Sequence, residues 1–472
     1  MSGGSAPWAA RSGNGRSRPG LRRGAWIAGI LALVGVLVVA ATGMLLYLRA
    51  DGSLTRVPVD ELTEPPDPSE STDPTDEAVD SDARHFLVVG SDTRSDTDDE
   101  DDVARGDVEG QRSDAILYVS LSDDRDDISV LSLPRDLLVE RDGQTMRLGD
   151  TFMDGPGELV ATVQEEYGLP VHHYAKVTFD GFLEAVDTLG GVELCLDDDL
   201  VDPDAGADLE AGCHHRSPED ALGFVRSRQG ERADLERIER QQRFIRATLE
   251  ELTDRRVLAD VPRLFELVED VAGNVTTDDR LAMREMLGLA DEVRGMLDDD
   301  IPMTSVPAYP QTVGGREALL PYAPGARAMF EELREGGSLA DRGTPEQREE
   351  TTVAIWSQYR EEGMEVIAST LLFAGFFDRG AAGPGPEQIE VTDTTTVYAT
   401  SADDPAAERV AAVLGAPIQE LGEDLELPDD ADVAVAVGRD ATDSLDLGAE
   451  LPSEQDGLGT RSADPGAAPD DA

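Results

Sequence analysis

The stretch RSDAILYVSLSDDRDDISVLSLPRD, residues 112–136, decides how the first large domain is expected to fold. Two short runs rich in isoleucine, leucine and valine are joined there by an aspartate-rich turn, a pattern that predicts a β-hairpin. The outer ends of an antiparallel hairpin lie side by side. We therefore expect Asp114, before the first strand, to lie close to Arg135 and Asp136, after the second.

A second apolar run, HFLVVG at residues 85–90, predicts a neighbouring strand that leads directly into SDTR. Antiparallel pairing with the first hairpin strand would bring Asp92 beside Asp114. The charged residues expected at this sheet edge are Asp92, Arg94, Arg112, Asp114, Arg135 and Asp136. Carboxylate oxygens bind hard divalent cations, and guanidinium groups fit phosphate oxygens. The cluster therefore predicts a magnesium-bound phosphate or pyrophosphate site, with ordinary surface charge as the alternative.

The composition limits the possible functions. The chain has 472 residues and a formal net charge of −59, with Lys176 as its only lysine. The length is sufficient for two or three domains. A chain this acidic repels the phosphate backbone, so general nucleic-acid binding is disfavoured.

The first 83 residues predict a membrane anchor. Residues 1–24 are rich in glycine, serine and arginine and predict a disordered cytoplasmic tail. Residues 25–48 predict a transmembrane helix with the N-terminus inside, because five arginines precede an uncharged run of 23 residues. A cleaved signal peptide is the alternative. Residues 49–83 predict an acidic, proline-rich linker, which places the bulk of the chain outside the cytoplasm.

Residues 84–340, with a core at 84–250, predict an α/β sandwich. Helical spacing of apolar residues at 157–167 and 179–189 alternates with predicted strands such as 192–196. The acidic run at 96–102 predicts a solvated insertion, since it lacks the glycine of a calcium loop.

The two cysteines, Cys195 and Cys213, predict a disulfide in an exported domain. A metal site that includes His214 and His215 is the alternative.

A second basic cluster follows the cysteines. The run FVRSR predicts a strand on which Arg226 and Arg228 share a face. Residues 234–252 then predict a helix on which Arg237, Arg240 and Gln241 lie near the apolar stripe. These side chains predict a diphosphate clamp opposite the aspartates, and a charged solvent-exposed helix is the alternative.

The C-terminal part predicts a second, small α/β domain at residues 351–440, after a polar linker at 341–350. Two β-α-β patterns fill the domain, and no nucleophile or phosphate loop is evident in it. Residues 441–472 predict an acidic disordered tail.

Assembled in order, these motifs resemble the LytR–CpsA–Psr family of envelope proteins. The motifs are GSDTR at 90–94, RSDA at 112–115, LSLPRD at 131–136, HYAKVTFDGFLEAVDTLGGVEL at 173–194, ALGFVRSR at 221–228 and DLERIERQQ at 234–242. Residues 351–440 are similar to the accessory LytR C-terminal domain of that family. The resemblance implies a membrane-bound phosphotransferase that moves a glycopolymer from a polyprenyl-pyrophosphate carrier onto peptidoglycan in cell wall biogenesis, with magnesium assisting.

The resemblance also implies roles for individual residues. Asp92 and Asp114 look like the metal-binding pair. The pyrophosphate-binding set is Arg135, Arg226, Arg228 and Gln241, with Arg94 and Arg240 beside it. Arg112, Asp234 and Arg237 look like supporting catalytic residues, and Asp234 or Asp136 is the expected proton acceptor. The apolar tunnel for the carrier is expected beside the helices at 157–167 and 179–189.

One stretch departs from the family pattern: Arg147, Leu148 and Gly149 stand where the family usually has Lys-Ile-Asn. Arginine keeps the charge on a larger donor, and the missing asparagine is expected to alter acceptor positioning or rate. Two other functions stay open. One is a non-enzymatic carrier-binding or attenuator protein, and the other is a hydrolase of the carrier pyrophosphate.

Overall fold

The computed structural model of the protein describes part of the chain. The described residues are 55–64, 83–91, 113–123, 127–141, 143–196, 198–227, 229, 240, 243–244, 247–248, 251, 275–281, 288–289, 301–313, 315–357, 361–376, 379–386, 389, 392–422 and 425–442. Within these ranges no helix has both the length and the apolar character needed to cross a bilayer. The predicted membrane helix at 25–48 lies outside them, as do the predicted N-terminal tail and residues 443–472 of the predicted C-terminal tail. Ala441, assigned to that tail, is instead buried, and part of the predicted linker at 49–83 is packed as well, since Val59 and Leu62 are 2% and 5% exposed.

The elements of the described residues are named in chain order. The strands are β1 (Thr55–Val57), β2 (Arg84–Ser91), β3 (Ser113–Leu121), β4 (Ile128–Ser132), β5 (Leu138–Arg141), β6 (Gln144–Arg147), β7 (His173–Thr178), β8 (Val192–Leu196), β9 (Leu200–Asp202), β10 (Ala207–Leu209), β11 (Gly212–Arg216), β12 (Val275–Asp278), β13 (Met303–Ser305), β14 (Ala308–Val313), β15 (Arg316–Pro321), β16 (Val353–Trp356), β17 (Arg379–Gly383), β18 (Thr396–Ala399), β19 (Ile418–Glu420) and β20 (Val433–Ala436). The α-helices are α1 (Leu148–Thr151), α2 (Pro156–Tyr167), α3 (Phe179–Thr188), α4 (Pro218–Arg226), α5 (Ala323–Arg334), α6 (Pro345–Glu349), α7 (Glu361–Phe373) and α8 (Pro405–Leu414).

A central sheet organises the larger domain. Among the described residues it has seven strands in the order β1-β12-β7-β2-β3-β4-β13. The hairpin expected at residues 112–136 is confirmed, because β3 and β4 pair antiparallel. The preceding strand β2 also pairs antiparallel with β3, and β7 runs parallel to β2. The predicted mixed α/β class is confirmed.

The two faces of this sheet are both apolar but differ in burial. On β3, the buried residues Ile116 and Tyr118 alternate with the half-buried residues Leu117 and Val119. The fully buried face packs against α2 and α5, where Leu159, Val163 and Met329 are completely covered. Between β2 and β3 the register pairs residues of equal burial from Phe86 and Val119 to Gly90 and Ala115, so both faces continue across these two strands. The apolar residues of the half-buried face are Phe86, Val88, Ala115, Leu117, Val119, Ala175 and Val177.

The C-terminal unit has its own five-stranded sheet, in the order β17-β16-β20-β18-β19. Helix α7 connects the parallel strands β16 and β17, and helix α8 connects the parallel strands β18 and β19. Its apolar cluster includes Tyr322, which is completely buried and precedes α5 of the larger domain. The two parts therefore share a core.

The segment at 341–350 differs from the polar linker that the sequence predicts. It contains α6, and its arginines Arg342 and Arg348 are 2% and 3% exposed. Arg348 donates hydrogen bonds to the carbonyl oxygens of Arg342 and Met303, at 3.2 and 3.1 Å. The Arg342 guanidinium group pairs with the Glu332 carboxylate. The composition predicts a linker, but the hydrogen bonds of these two buried arginines pack the segment.

A stacked pair of buried histidines lies at the end of the central sheet opposite Ser91. The rings of His85 and His172 are stacked, with centroids 5.2 Å apart, and His85 also stacks on Tyr118. Burial lowers the pKa of His85 to about 3, with a further contribution from His172. Burial likewise lowers the pKa of His172 to about 4, with contributions from His173 and Arg84.

These histidines predict a loss of stability in acid. Below pH 6.5 the unfolded chain binds protons at both rings while the folded chain does not, so the free energy of unfolding falls as the pH falls from 6.5 towards 4. At pH 5 the loss is about 2 kcal/mol per histidine. Urea unfolding at several pH values should show a shallower pH slope for the variant His85→Gln/His172→Gln. The control is His214→Gln/His215→Gln, whose rings are exposed; equal slopes in the two variants would contradict the prediction.

Candidate functional site

Four strand ends meet at one edge of the central sheet. Ser91, at the end of β2, pairs with Ser113 of β3 and with Thr178 of β7. The register shifts between Gly90 and Ser91, so Asp114 is the extra residue of a β-bulge. The Asp114 backbone therefore lies at the edge predicted for it. Helix α3 also begins at this edge, where the Thr178 hydroxyl accepts a hydrogen bond from the Gly181 amide at 3.3 Å.

Arg135 and Asp136 follow β4 at the same edge. The Leu133 amide donates to the Ile116 carbonyl at 2.9 Å, which continues the β3–β4 register beyond Ser132. Asp114 precedes Ile116 by two residues and Arg135 follows Leu133 by two. The backbone thus brings Asp114 and Arg135 to the same edge of the sheet, as expected from the hairpin.

Asp136 is paired with two guanidinium groups. Its Oδ1 accepts a hydrogen bond from Arg147 Nη1 at 2.8 Å, and its Oδ2 lies 3.8 Å from Arg135 Nε. All three side chains are 28–29% exposed, so the cluster is accessible from one side. Arg147 Nη2 also donates to the Glu317 carbonyl at 2.7 Å. Asp136 therefore orients two cations that face a common edge.

Backbone hydrogen bonds hold this loop rigidly. The Gly149 amide donates to the Arg135 carbonyl at 2.8 Å, and the Leu319 amide donates to the Asp136 carbonyl at 2.9 Å. The stretch Arg147-Leu148-Gly149, singled out as the departure from the family pattern, thus lies directly against Arg135 and Asp136. The hairpin β5–β6 brings it there, by pairing Leu138 with Arg147.

The structure corrects the strand predicted for FVRSR. Residues 218–226 form helix α4, so Arg226 does not alternate with Arg228 on a strand. The helix is favoured because the Ser217 hydroxyl caps the Asp220 amide and because Ala221, Phe224 and Val225 bury one face in a shared cluster. Arg226 lies exposed in the last turn of the helix.

Arg240, predicted to bind pyrophosphate, makes backbone contacts. It is 9% exposed, and its Nη2 donates to the carbonyl oxygens of Ser227 and Gln229, at 2.8 and 3.3 Å. The guanidinium group thus binds the segment on either side of Arg228.

Several predicted site residues lie outside the described residues: Asp92, Arg94, Arg112, Arg228, Asp234, Arg237 and Gln241, together with the side chain of Asp114. Where side chains are described, no group of three or more histidine, cysteine or acidic residues could hold a metal ion. The donor chemistry of the edge nevertheless fits magnesium, because Asp92 follows Ser91 directly and Asp114 follows its partner Ser113.

Cys195 and Cys213 form a disulfide across the antiparallel strands β8 and β11. The neighbouring histidines bind carbonyl oxygens instead of completing a metal site. His214 Nε2 lies 3.0 Å from the Ala211 oxygen, and His215 Nε2 lies 2.9 Å from the Gly190 oxygen.

The sequence did not indicate two buried polar residues, Asp202 and Ser227, that hold the segment of the predicted arginine clamp. Asp202, on the short strand β9, is 4% exposed and binds the Ser227 hydroxyl at 2.9 Å. Ser227 is completely buried. In the sequence, the only indication was the serine between the two arginines of the RSR motif. A serine there is equally compatible with a buried hydrogen-bonding residue and with an exposed one.

The LytR_cpsA_psr family model matches residues 51–335. The chain is 32% identical to the probable cell wall biosynthesis protein LcpB of Corynebacterium glutamicum, over 65% of this chain and 70% of that protein. It is 26% identical to the polyisoprenyl-teichoic acid–peptidoglycan teichoic acid transferase TagU of Oceanobacillus iheyensis, over 61% and 87%. A solved structure, the LytR-Csp2A-Psr enzyme from Actinomyces oris, matches with 22% identity and a TM-score of 0.47, over 60% of this chain and 96% of that one. The chain belongs to the LytR_cpsA_psr family.

Proposed function

We propose that this protein transfers a glycopolymer from a polyprenyl-pyrophosphate carrier onto peptidoglycan. The observation that carries the proposal is the meeting of Asp114, Arg135, Asp136 and Arg147 at one sheet edge. Relatives named as teichoic acid transferases support the same reaction class. Family membership and the charged residues of the site point to the same substrate class, and the proposal includes magnesium as cofactor.

The reaction is a phosphoryl transfer. An acceptor hydroxyl oxygen of the wall attacks the sugar-linked phosphorus, a phosphodiester forms, and the pyrophosphate bond breaks to release polyprenyl phosphate. Arg135 and Arg147 stabilise the charge that develops on the leaving phosphate. Asp136 holds both arginines in place, so Asp234 is the better candidate to accept the hydroxyl proton.

Asp92 and Asp114 would hold magnesium, which supplies charge neutralisation at the phosphate oxygens when it is bound. Arg226, Arg228 and Gln241 complete the pyrophosphate clamp. The N-terminal end of α3, at the same edge, adds a partial positive charge.

The half-buried apolar face of the central sheet suits the isoprenoid chain of the carrier. It leads to the edge that carries Asp114, and its residues Val88, Leu117 and Val177 are half-buried. The stripe of α2, an alternative wall for the chain, is instead packed into the core on the opposite face. We therefore place the carrier chain on the half-buried face.

The same proposal includes a membrane location. A helix at residues 25–48 would anchor the chain with its N-terminus in the cytoplasm, and the folded domains would face the wall. A disulfide between Cys195 and Cys213 suits an oxidising compartment outside the cytoplasm. The segment at 351–440 would act as the family's C-terminal accessory domain.

A transfer assay tests the proposal. The full-length protein in detergent is given a polyprenyl-pyrophosphate oligosaccharide, magnesium and peptidoglycan fragments, and both polyprenyl phosphate release and sugar attachment are measured. Arg226→Ala should lower attachment about 10- to 100-fold, because a charged hydrogen bond to phosphate is lost. The matched control Arg327→Ala, an exposed arginine of α5, should keep the wild-type rate.

Other outcomes would favour the alternative functions. Release without attachment, in the presence of a competent acceptor, would indicate a hydrolase. Tight carrier binding without turnover would indicate a binding or attenuator protein.

A further inference from the structure

Ser227 lies between two predicted phosphate-binding arginines and is the anchor of their segment. Its backbone leaves helix α4 in an extended conformation, with φ −59° and ψ 137°, and its amide donates to the Gly223 carbonyl at 3.0 Å. Arg226 before it is exposed, whereas Ser227 itself is completely buried. The chain therefore turns inward at Ser227, directly after the exposed Arg226.

A buried carboxylate holds the side chain of Ser227. The Ser227 hydroxyl donates to Asp202 Oδ2 at 2.9 Å, and Asp202 Oδ1 accepts the amides of Asp204 and Ala205 at 3.2 and 3.3 Å. The Ser227 hydroxyl oxygen also accepts a hydrogen bond from the Gln229 amide at 3.2 Å. Asp202 thus joins the arginine segment to the loop that follows β9.

A buried guanidinium group holds the backbone of the same segment. Arg240 donates through one nitrogen to the carbonyls of Ser227 and Gln229, which flank Arg228. A planar guanidinium group suits two carbonyls at once, since its donors have a fixed geometry. Asp202 and Arg240 together hold the segment through its side chain and its backbone.

We propose that Asp202 and Arg240 are positioning residues that fix Ser227 and Gln229, so that Arg226, directly before Ser227, is held in place for the diphosphate of the carrier. This inference rests on the proposed function for its substrate, and it replaces the direct phosphate contact predicted for Arg240. Hydrogen-bond donors that are already held in position bind a diphosphate more tightly than mobile ones, because the protein segment loses its conformational freedom on folding and not on binding. Carrier affinity should therefore depend on both buried residues.

Carrier binding and segment mobility are measured separately on the full-length protein. Titration with a short polyprenyl pyrophosphate should give a Kd about 10-fold higher for Asp202→Asn and for Arg240→Gln. Arg240→Lys should recover part of the affinity, because the ammonium group retains a donor and the charge. An arginine-specific protease should cut the Arg226–Ser227 bond faster in Asp202→Asn and Arg240→Gln than in wild type.

Two further variants separate a local effect at Ser227 from a general loss of folding. Ser227→Ala removes only the hydroxyl, so it should speed cleavage and weaken carrier binding even if the two charge variants fold poorly. Asp208→Asn, at an exposed aspartate of β10, should leave both measurements unchanged. Wild-type Kd in all three anchor variants would overturn the inference, as would unchanged cleavage.

The outcomes separate this inference from the proposed function. If wild type binds the carrier without transferring sugar and the anchor variants bind it more weakly, the transferase proposal fails and the positioning role stands. If wild type transfers sugar and the Asp202 and Arg240 variants bind like it, the positioning role fails alone.

Discussion

Replacing Asp114 with asparagine should lower the magnesium-dependent transfer rate about 100-fold or more. The Asp114 backbone lies in the β-bulge beside Ser91, so its carboxylate is expected to share a cation with Asp92. Asparagine keeps the size of the side chain but removes its charge, which weakens the hold on the cation by several kcal/mol. Initial rates of sugar attachment over a range of magnesium concentrations measure the effect.

The magnesium dependence distinguishes a ligand from a structural residue. Asp114→Asn should need a higher magnesium concentration for half-maximal rate, while its melting temperature stays near that of wild type. The control Asp208→Asn, also an aspartate in a strand, should change neither quantity. An Asp114→Asn protein with wild-type rate and magnesium dependence would refute the metal assignment.

Gly325→Ala should destabilise the protein by about 2 kcal/mol, although the same change in a helix is ordinarily favourable. A Cβ at Gly325 would lie 2.1 Å from the Val413 carbonyl oxygen, at the close crossing of α5 and α8. Backbone atoms cannot move aside as a flexible side chain can, so overpacking outweighs the gain in helix propensity. Urea unfolding measures the change in the free energy of unfolding.

Gly288→Ala is the matched control, with the opposite sign. Gly288 is helical and exposed, and nothing lies within 4 Å of the position of its Cβ. Alanine should therefore stabilise the protein there by up to about 1 kcal/mol. Equal and favourable effects at both glycines would show that α5 and α8 do not pack closely in solution.

The docking of the C-terminal unit has a consequence for the site. Tyr309 of β14 packs against the apolar cluster of that unit, and Leu319 of the paired strand β15 binds the Asp136 carbonyl. The hairpin β14–β15 thus contacts both the C-terminal unit and the loop that carries Arg135 and Asp136. Loosening the crossing at Gly325 is expected to affect the arginine cluster as well as overall stability.

Local patterns in the sequence were sufficient for much of the fold. The apolar runs of β2, β3 and β4 have strand length and end in turns, so their pairing followed from adjacency along the chain. The apolar spacing of helix α2 was also recognisable. The meeting of Asp114 with Arg135 needed only the antiparallel geometry of one hairpin.

Other features depended on partners far along the chain. FVRSR reads as a strand from composition, yet burial of Ala221 and Phe224 in a shared cluster makes its first half helical. The apparent linker at 341–350 is packed because the buried guanidinium groups of Arg342 and Arg348 bind the Glu332 carboxylate and the Met303 carbonyl.

The sequence by itself therefore determined the α/β class, the central hairpin and the types of charged residue available for phosphate and metal. Only the tertiary structure decided that Arg147 pairs with Asp136, that Arg240 binds backbone carbonyls, and that Asp202 anchors Ser227. The physical reason is the range of the interactions. Strand and helix patterns arise from neighbouring residues, whereas the partner of a buried charge is set by whichever distant backbone or side chain the fold brings to it.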